Sequence, residues 1–222
     1  MKRNTDLDFI RAILIILMIL IHIVSFGNAY PQLKAGILSF MMPTFLIITG
    51  YLVNIEKTGR QMGNYLKCLA LPYVIMVTGF SVLSYYMPVR DGITELSLSQ
   101  IGEKIFITSI GPYWFIQTMI ICGALYYFCF SGRNWNDLRR NYTKRDTYAS
   151  LFVFALTLLL ISETPALSAS AAAYYFIGVV IRQSKTEWNK LFRHESFAII
   201  LWIYLLNHDD WYDWGNLAIV FS

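Results

Sequence analysis

Two basic side chains inside the first apolar stretch, Arg11 and His22 of LDFIRAILIILMILIH, are the residues best placed to do chemistry. They stand eleven positions apart. In an α-helix eleven residues make almost three turns, which returns both side chains to one face with about 16 Å between them along the axis. Arg11 then sits at one rim of a bilayer and His22 past its middle, where an ionisable group is costly unless it meets protein or water, and marks a functional site by default. Neutral imidazole, with an ordinary pKa of about 6.5, is the commonest general base and suits removal of the proton from a hydroxyl attacking a thioester. A cationic rim suits phosphate. Together the two fit a donor with phosphates at one end and a thioester on a long arm, the layout of coenzyme A. The plainer alternative stays open: a histidine satisfied by an interhelical hydrogen bond, and an arginine that snorkels as a topology anchor.

The elements that must hold these residues are membrane helices. The chain has 222 residues, of which 56% are hydrophobic, 16% aromatic and only 14% charged, so a water-soluble globule would expose large apolar patches. A net charge of +4 without a basic stretch interleaved with aromatics gives no nucleic-acid surface. Cys68, Cys122 and Cys129 lie in apolar stretches without metal-ligand or disulfide spacing, so no metal is implied. The amino terminus resembles a signal peptide only superficially. Asp6, Asp8 and Arg11 fall where its apolar core would begin and Gly27 to Ala29 is a poor cleavage site, so the segment is expected to be a retained first span.

Apolar runs long enough to cross about 30 Å of hydrocarbon are expected at residues 9–28, 36–54, 67–87, 113–131, 148–163, 166–183 and 192–207, with a further run starting near Trp214. Such runs are too long for barrel strands. Loop charges test the parse independently of hydropathy. With the amino terminus inside, inner segments hold fifteen Lys and Arg, from Lys2 to Arg193, and outer segments only Lys34, Arg90 and Lys104. That asymmetry is what the positive-inside rule demands, and it predicts a cytoplasmic amino terminus. The expected architecture is all-α: a polytopic transmembrane bundle forming one domain over 1–222. In the longest outer loop, 88–112, the segment Ile101 to Ile110 is expected on the membrane surface before Gly111 and Pro112 open the fourth span. The small-residue run Ala166 to Ala173 permits close helix approach.

At this point the residues resemble a known family, the membrane acyltransferases of the acyltransferase family 3 type, including sugar O-acetyltransferases. The resemblance rests on the Arg, ten residues, His opening; on MMPTFLIITGYL at 41–52, KCLALPYV at 67–74 and GPYWFIQTMI at 111–120; and on AYYFIGVVIRQ at 173–183. It implies an integral enzyme of the bacterial inner membrane that takes an acyl group, usually acetyl, from cytoplasmic acyl-CoA. The acceptor would be a carbohydrate or glycolipid hydroxyl at the far side of the membrane. Acetyl-CoA would be a donor substrate, with no permanently bound cofactor. On the same resemblance His22 is the catalytic histidine and Arg11 its partner in the motif, helping to hold the donor or to order the site. The family often carries two basic residues three positions apart before the third helix, where this sequence has Asn64 and Lys67. Family members usually have about ten helices, so this chain is expected to lack the last ones.

Other residues carry two readings each. Lys67 is read as a contact to a CoA phosphate or as an inner-face anchor, and Trp114 and Gln117, at the outer start of the fourth span, as substrate-lining residues. An aromatic-belt role suits Trp114 equally. Asp8 pairs with Arg11 or is simply solvated, Thr49 and Gly50 permit close helix contact, and Glu163, Asp209, Asp210 and Asp213 are outer acids that either meet a sugar or do nothing specific. Two rival functions remain beside the transferase. A proton-coupled transporter or channel would use His22 as a relay and needs further intramembrane acids; an inactive remnant would associate without turnover.

Overall fold

The computed structural model describes residues 5–55, 57–87, 89, 91–131 and 144–184. The expected spans at 192–207 and from Trp214, and the acids Asp209, Asp210 and Asp213, lie outside the described residues. Those described are helical and contain no strand. The α-helices are α1 (Thr5–His22), α2 (Val24–Ala29), α3 (Pro31–Leu52), α4 (Gly59–Tyr86), α5 (Leu98–Glu103), α6 (Trp114–Ser131), α7 (Lys144–Ser162) and α8 (Ala169–Gln183). Pro31–Leu52, Gly59–Tyr86 and Gly111–Phe130 are long and apolar enough to cross a bilayer, and Thr147–Ser162 is a shorter apolar helix. The molecule is an all-α membrane bundle.

Local chemistry explains the boundaries. Pro31 opens α3, where its missing N–H costs nothing. Thr58 caps α4 in a reciprocal box with Gln61, and each side chain takes the other's backbone N–H. Within α3 the hydroxyls of Ser39, Thr44 and Thr49 each donate to a carbonyl one turn back, at 2.7 Å. Gly111, at φ +54, makes the turn into α6.

The structure shifts several expected edges. The apolar run 9–28 is not one helix. It breaks at Ile23, whose φ of −73° and ψ of 112° are extended, so α1 ends on His22 and α2 continues separately. α3 begins at Pro31 rather than near residue 36 and takes Lys34 into its first turn. The segment Ile101 to Ile110 packs along α4, as described below.

Two compact units divide the chain, one of residues Met1–Tyr51 and Ile177–Ser222 and one of Leu52–Phe176. In the first, Gly178 presses its backbone onto α3. A side chain there would land on the Ile47 carbonyl oxygen, 2.9 Å from Ile47 C and 3.0 Å from Tyr51 N. Near the same crossing the Arg182 guanidinium lies over the Tyr51 ring, 5.9 Å from its centroid. In the second unit a chain of rings joins α6, α7 and α8. Tyr126 meets Phe130 edge-on at 4.9 Å and Phe154 at 5.6 Å, and Phe154 meets Phe176 at 5.9 Å.

Candidate active site

Helix α1 buries Leu7, Leu14 and Ile21, a stripe of spacing seven. Arg11 and His22 lie beside that stripe, about 20° from each other around the axis and about 16 Å apart along it, and both are exposed on their unit. The His22 Nδ1 is 2.7 Å from the Met18 carbonyl oxygen. A carbonyl only accepts, so Nδ1 carries the hydrogen and donates it. In the neutral ring the lone pair is then on Nε2, the nitrogen farther from the helix. The backbone of α1 therefore does what a carboxylate does in a catalytic triad: it fixes the tautomer and aims the basic nitrogen outward. The Nδ1 bond lies within the helix that carries His22.

In the second unit Lys67 is exposed on α4, about 12 Å along the axis from Gly59. Asn64, one turn before it, is exposed as well. A second cation is held near the same end of the helix, where Lys57 Nζ lies 4.3 Å from the centroid of the Tyr65 ring. Trp114 is 37% exposed and meets Phe115 edge-on at 6.2 Å.

Gln117 has a structural task that its position in the sequence does not reveal. It is buried, and its Nε2 donates to the carbonyls of Phe106 and Ile107 at 3.2 and 3.3 Å. Tyr73 of α4 donates to the Ile105 carbonyl at 2.8 Å. These carbonyls belong to a π-helical turn, Lys104–Thr108, whose wider winding departs from the regular ladder. Gln117 and Tyr73 supply the hydrogen bonds that water supplies elsewhere.

Contacts along α4 trace the path of this segment. Ile93 N–H donates to Ser84 Oγ at 3.1 Å, Ile105 meets Tyr73, Ile110 packs with Val77, and the Tyr113 ring lies 5.3 Å from Phe80. The chain thus descends from the level of Ser84 to that of Tyr73, eleven residues or about 16 Å, and climbs back to Phe80 before α6 begins. Leu71, Ile75, Phe80, Leu83 and Tyr86 expose apolar surface along α4 to its end. Tyr73 therefore stands about 20 Å along the axis from the Tyr86 end of the helix, within its apolar length. Ser109, at the climb, takes φ +53° and ψ 176°, a conformation that costs a residue with a Cβ about 1–3 kcal/mol. Its Oγ lies beside the Tyr73 phenol, and the hydroxyls of Ser81, Thr108 and Ser109 are buried without a hydrogen bond of good geometry. Neither the dip nor this hydroxyl group was legible from apolar periodicity, which reads only which residues shun water.

The profile of the acyltransferase-3 family, described as an acyltransferase domain, matches residues 4–207. The chain belongs to this family. The match takes in α1 with its Arg11 and His22 spacing, the dipping segment and α8. Among curated proteins, the acyltransferase-3 chain is similar to the Nodulation protein NolL of Sinorhizobium fredii (strain NBRC 101917 / NGR234). The identity is 26% over 243 aligned positions, covering 99% of this chain and 62% of that protein. The chain thus spans less than two thirds of the relative's length. No solved structure matches it. Among the described residues no group of His, Cys, Asp and Glu is gathered as a metal site.

Proposed function

We propose that this membrane acyltransferase is an O-acyltransferase. It moves an acyl group, acetyl in the first instance, from cytoplasmic acyl-CoA to a hydroxyl of a carbohydrate or glycolipid. The observation that carries the reading is the His22 ring. Its Nδ1–H is held by the Met18 carbonyl at 2.7 Å, its Nε2 is outward, and Arg11 is on the same face three turns away. In the reaction Nε2 takes the proton of the acceptor hydroxyl as that oxygen attacks the thioester carbonyl. The tetrahedral adduct collapses, the C–S bond breaks, and the thiolate leaves and is protonated. A general base of this kind supplies about 10² to 10⁴ in rate, so positioning and oxyanion stabilisation supply the rest. Arg11 holds the phosphate end of the donor, and Lys67, exposed toward the Lys57 end of α4, adds a second cation for it.

The reading places the amino terminus and the Lys57 end of α4 on the cytoplasmic side of the inner membrane, in keeping with the distribution of Lys and Arg. The test is transfer of labelled acetyl from acetyl-CoA to glycan in membranes carrying the protein, against His22→Gln. Loss of about 10²-fold or more with unchanged expression is expected; transfer indifferent to the substitution removes His22 from this role. Flux of protons or sugar without acetyl-CoA would favour a transporter instead.

A further inference from the structure

We propose that the Lys34 ammonium stabilises the negative charge that forms on the acyl carbonyl oxygen when His22 works as the base. The inference rests on the O-acyltransferase reading and names an oxyanion-stabilising group for it. Position is the first argument. Lys34, the only charged residue of α3, lays its side chain over α2. A Cβ on Gly27 would lie 3.1 Å from Lys34 Cδ, 3.2 Å from its Nζ and 3.6 Å from the Ile21 carbonyl oxygen. Laid end to end, the last two distances put the ammonium no more than about 7 Å from the carbonyl of the peptide that joins Ile21 to His22. A lysine that only anchors a span stretches its charge into water. Here stem and charge lie against the backbone at Gly27, which is buried, and Lys34 itself is half-buried.

Charge is the second argument. α1 ends on His22 and its ladder is interrupted at Ile23, so the partial negative charge of its last carbonyls gathers at the His22 end. Such an end favours an imidazolium and opposes an oxyanion, and a cation placed there offsets the opposition. Among the described residues of this unit the carboxylates are Asp6 and Asp8, in the first turn of α1. The nearer of them is about 21 Å along the axis from His22, too far to neutralise a charge at that end. The chemistry is the third argument. As Nε2 takes the hydroxyl proton, the acceptor oxygen bonds to the acyl carbon and the carbonyl electron pair moves onto the carbonyl oxygen. The ammonium, on a flexible four-carbon stem, attracts that oxygen. When the adduct collapses the pair returns, the C–S bond breaks and the imidazolium gives its proton to the thiolate, so Lys34 keeps its own protons throughout.

The test compares variants in membranes carrying the full chain, with labelled acetyl-CoA as donor and the membranes' own glycan as acceptor. Lys34→Gln and Lys34→Met remove the charge and are expected to lower the maximal rate about 10²-fold, with the KM for acetyl-CoA changed less than about twofold. Lys34→Arg keeps the charge on a different head group and is expected to recover the rate to within about tenfold of wild type. Gly27→Val retains the lysine but fills the place its stem and charge occupy, so it is expected to lower the rate about tenfold at unchanged KM. A Lys34→Gln rate equal to wild type overturns the proposal, as does a KM that rises at an unchanged maximal rate. A fall in rate that tracks a fall in Tm and that Lys34→Arg does not recover makes Lys34 a packing residue and overturns it too. If wild-type and His22→Gln membranes transfer acetyl equally, the O-acyltransferase reading loses its base and the proposal falls with it. Transfer that needs His22 and ignores Lys34 overturns the proposal alone.

Discussion

Replacing Gly178 by alanine tests the tightest contact within the first unit. The added Cβ would fall onto the Ile47 carbonyl oxygen and within 2.9 Å of Ile47 C and 3.0 Å of Tyr51 N. All three are backbone atoms of α3, so no side chain can swing aside and the two segments must part. Overpacking of this kind costs about 1–3 kcal/mol, and with rigid backbone on both sides the upper end applies. Alanine regains about 1 kcal/mol over glycine in helix propensity, leaving a net loss of about 2 kcal/mol. For a chain of this size that lowers Tm by about 4–8 °C. The separation also lifts Arg182 away from the Tyr51 ring, now at 5.9 Å. The assay is thermal unfolding in detergent followed by far-ultraviolet circular dichroism, with Gly79→Ala as control. Gly79 has nothing within 4 Å of an added Cβ, so its substitution is expected to leave Tm unchanged or to raise it. A Gly178→Ala protein as stable as wild type, or a Gly79→Ala protein equally weakened, refutes the packing argument.

Three further outcomes follow from single contacts. His22→Gln is expected to lower transfer about 10²-fold or more while leaving Tm within about 1 °C, because the ring is exposed and its bond to Met18 is local; a large fall in Tm would make His22 a packing residue. Gln117→Leu leaves the Phe106 and Ile107 carbonyls without their donor and is expected to cost about 1–3 kcal/mol, read by the same melting assay. Tyr73→Phe removes only the hydroxyl that holds Ile105 and is expected to cost about 1 kcal/mol, with proteolysis between residues 98 and 110 accelerated before global unfolding.

Long apolar runs made the helical class legible, because burying backbone in lipid leaves the helix as the economical form for segments of that length. The Arg11 and His22 register followed from the helical repeat alone. What periodicity could not supply was the departure from regular helix. Nothing in ILIHIVSF marks Ile23 as the residue at which α1 stops, and IGEKIFITSIGPYW reads as an apolar surface stretch because its polar side chains are few. The partners that draw that stretch down, Tyr73 and Gln117, are 44 positions apart in the sequence and meet it only in three dimensions. Gln117 itself was readable as unusual, being an amide inside an apolar helix, but its partners were not. Gly178 stood among other small residues, and only the Ile47 backbone distinguishes it.

The polar chemistry of this molecule gathers where the helices fail to be regular, and the reason is physical. A regular helix consumes its own backbone groups and leaves the bilayer nothing to solvate, so it offers no place for a reacting hydroxyl or its proton. At Ile23 the ladder of α1 is interrupted directly after His22, and at Lys104–Thr108 the helix begun by α5 widens into a π turn beside the buried hydroxyls of Thr108 and Ser109, the latter against the Tyr73 phenol. The first interruption lies next to a side chain able to accept a proton, and the second is held by Tyr73 and Gln117. Straightening either one should therefore remove function before it removes stability. Deleting Ile23, which would allow α1 to run on into α2, is expected to rotate His22 relative to the residues after it. Acyl transfer would then be lost while the chain still inserts and resists proteolysis. Retained transfer in that variant would show that the break is incidental to the chemistry.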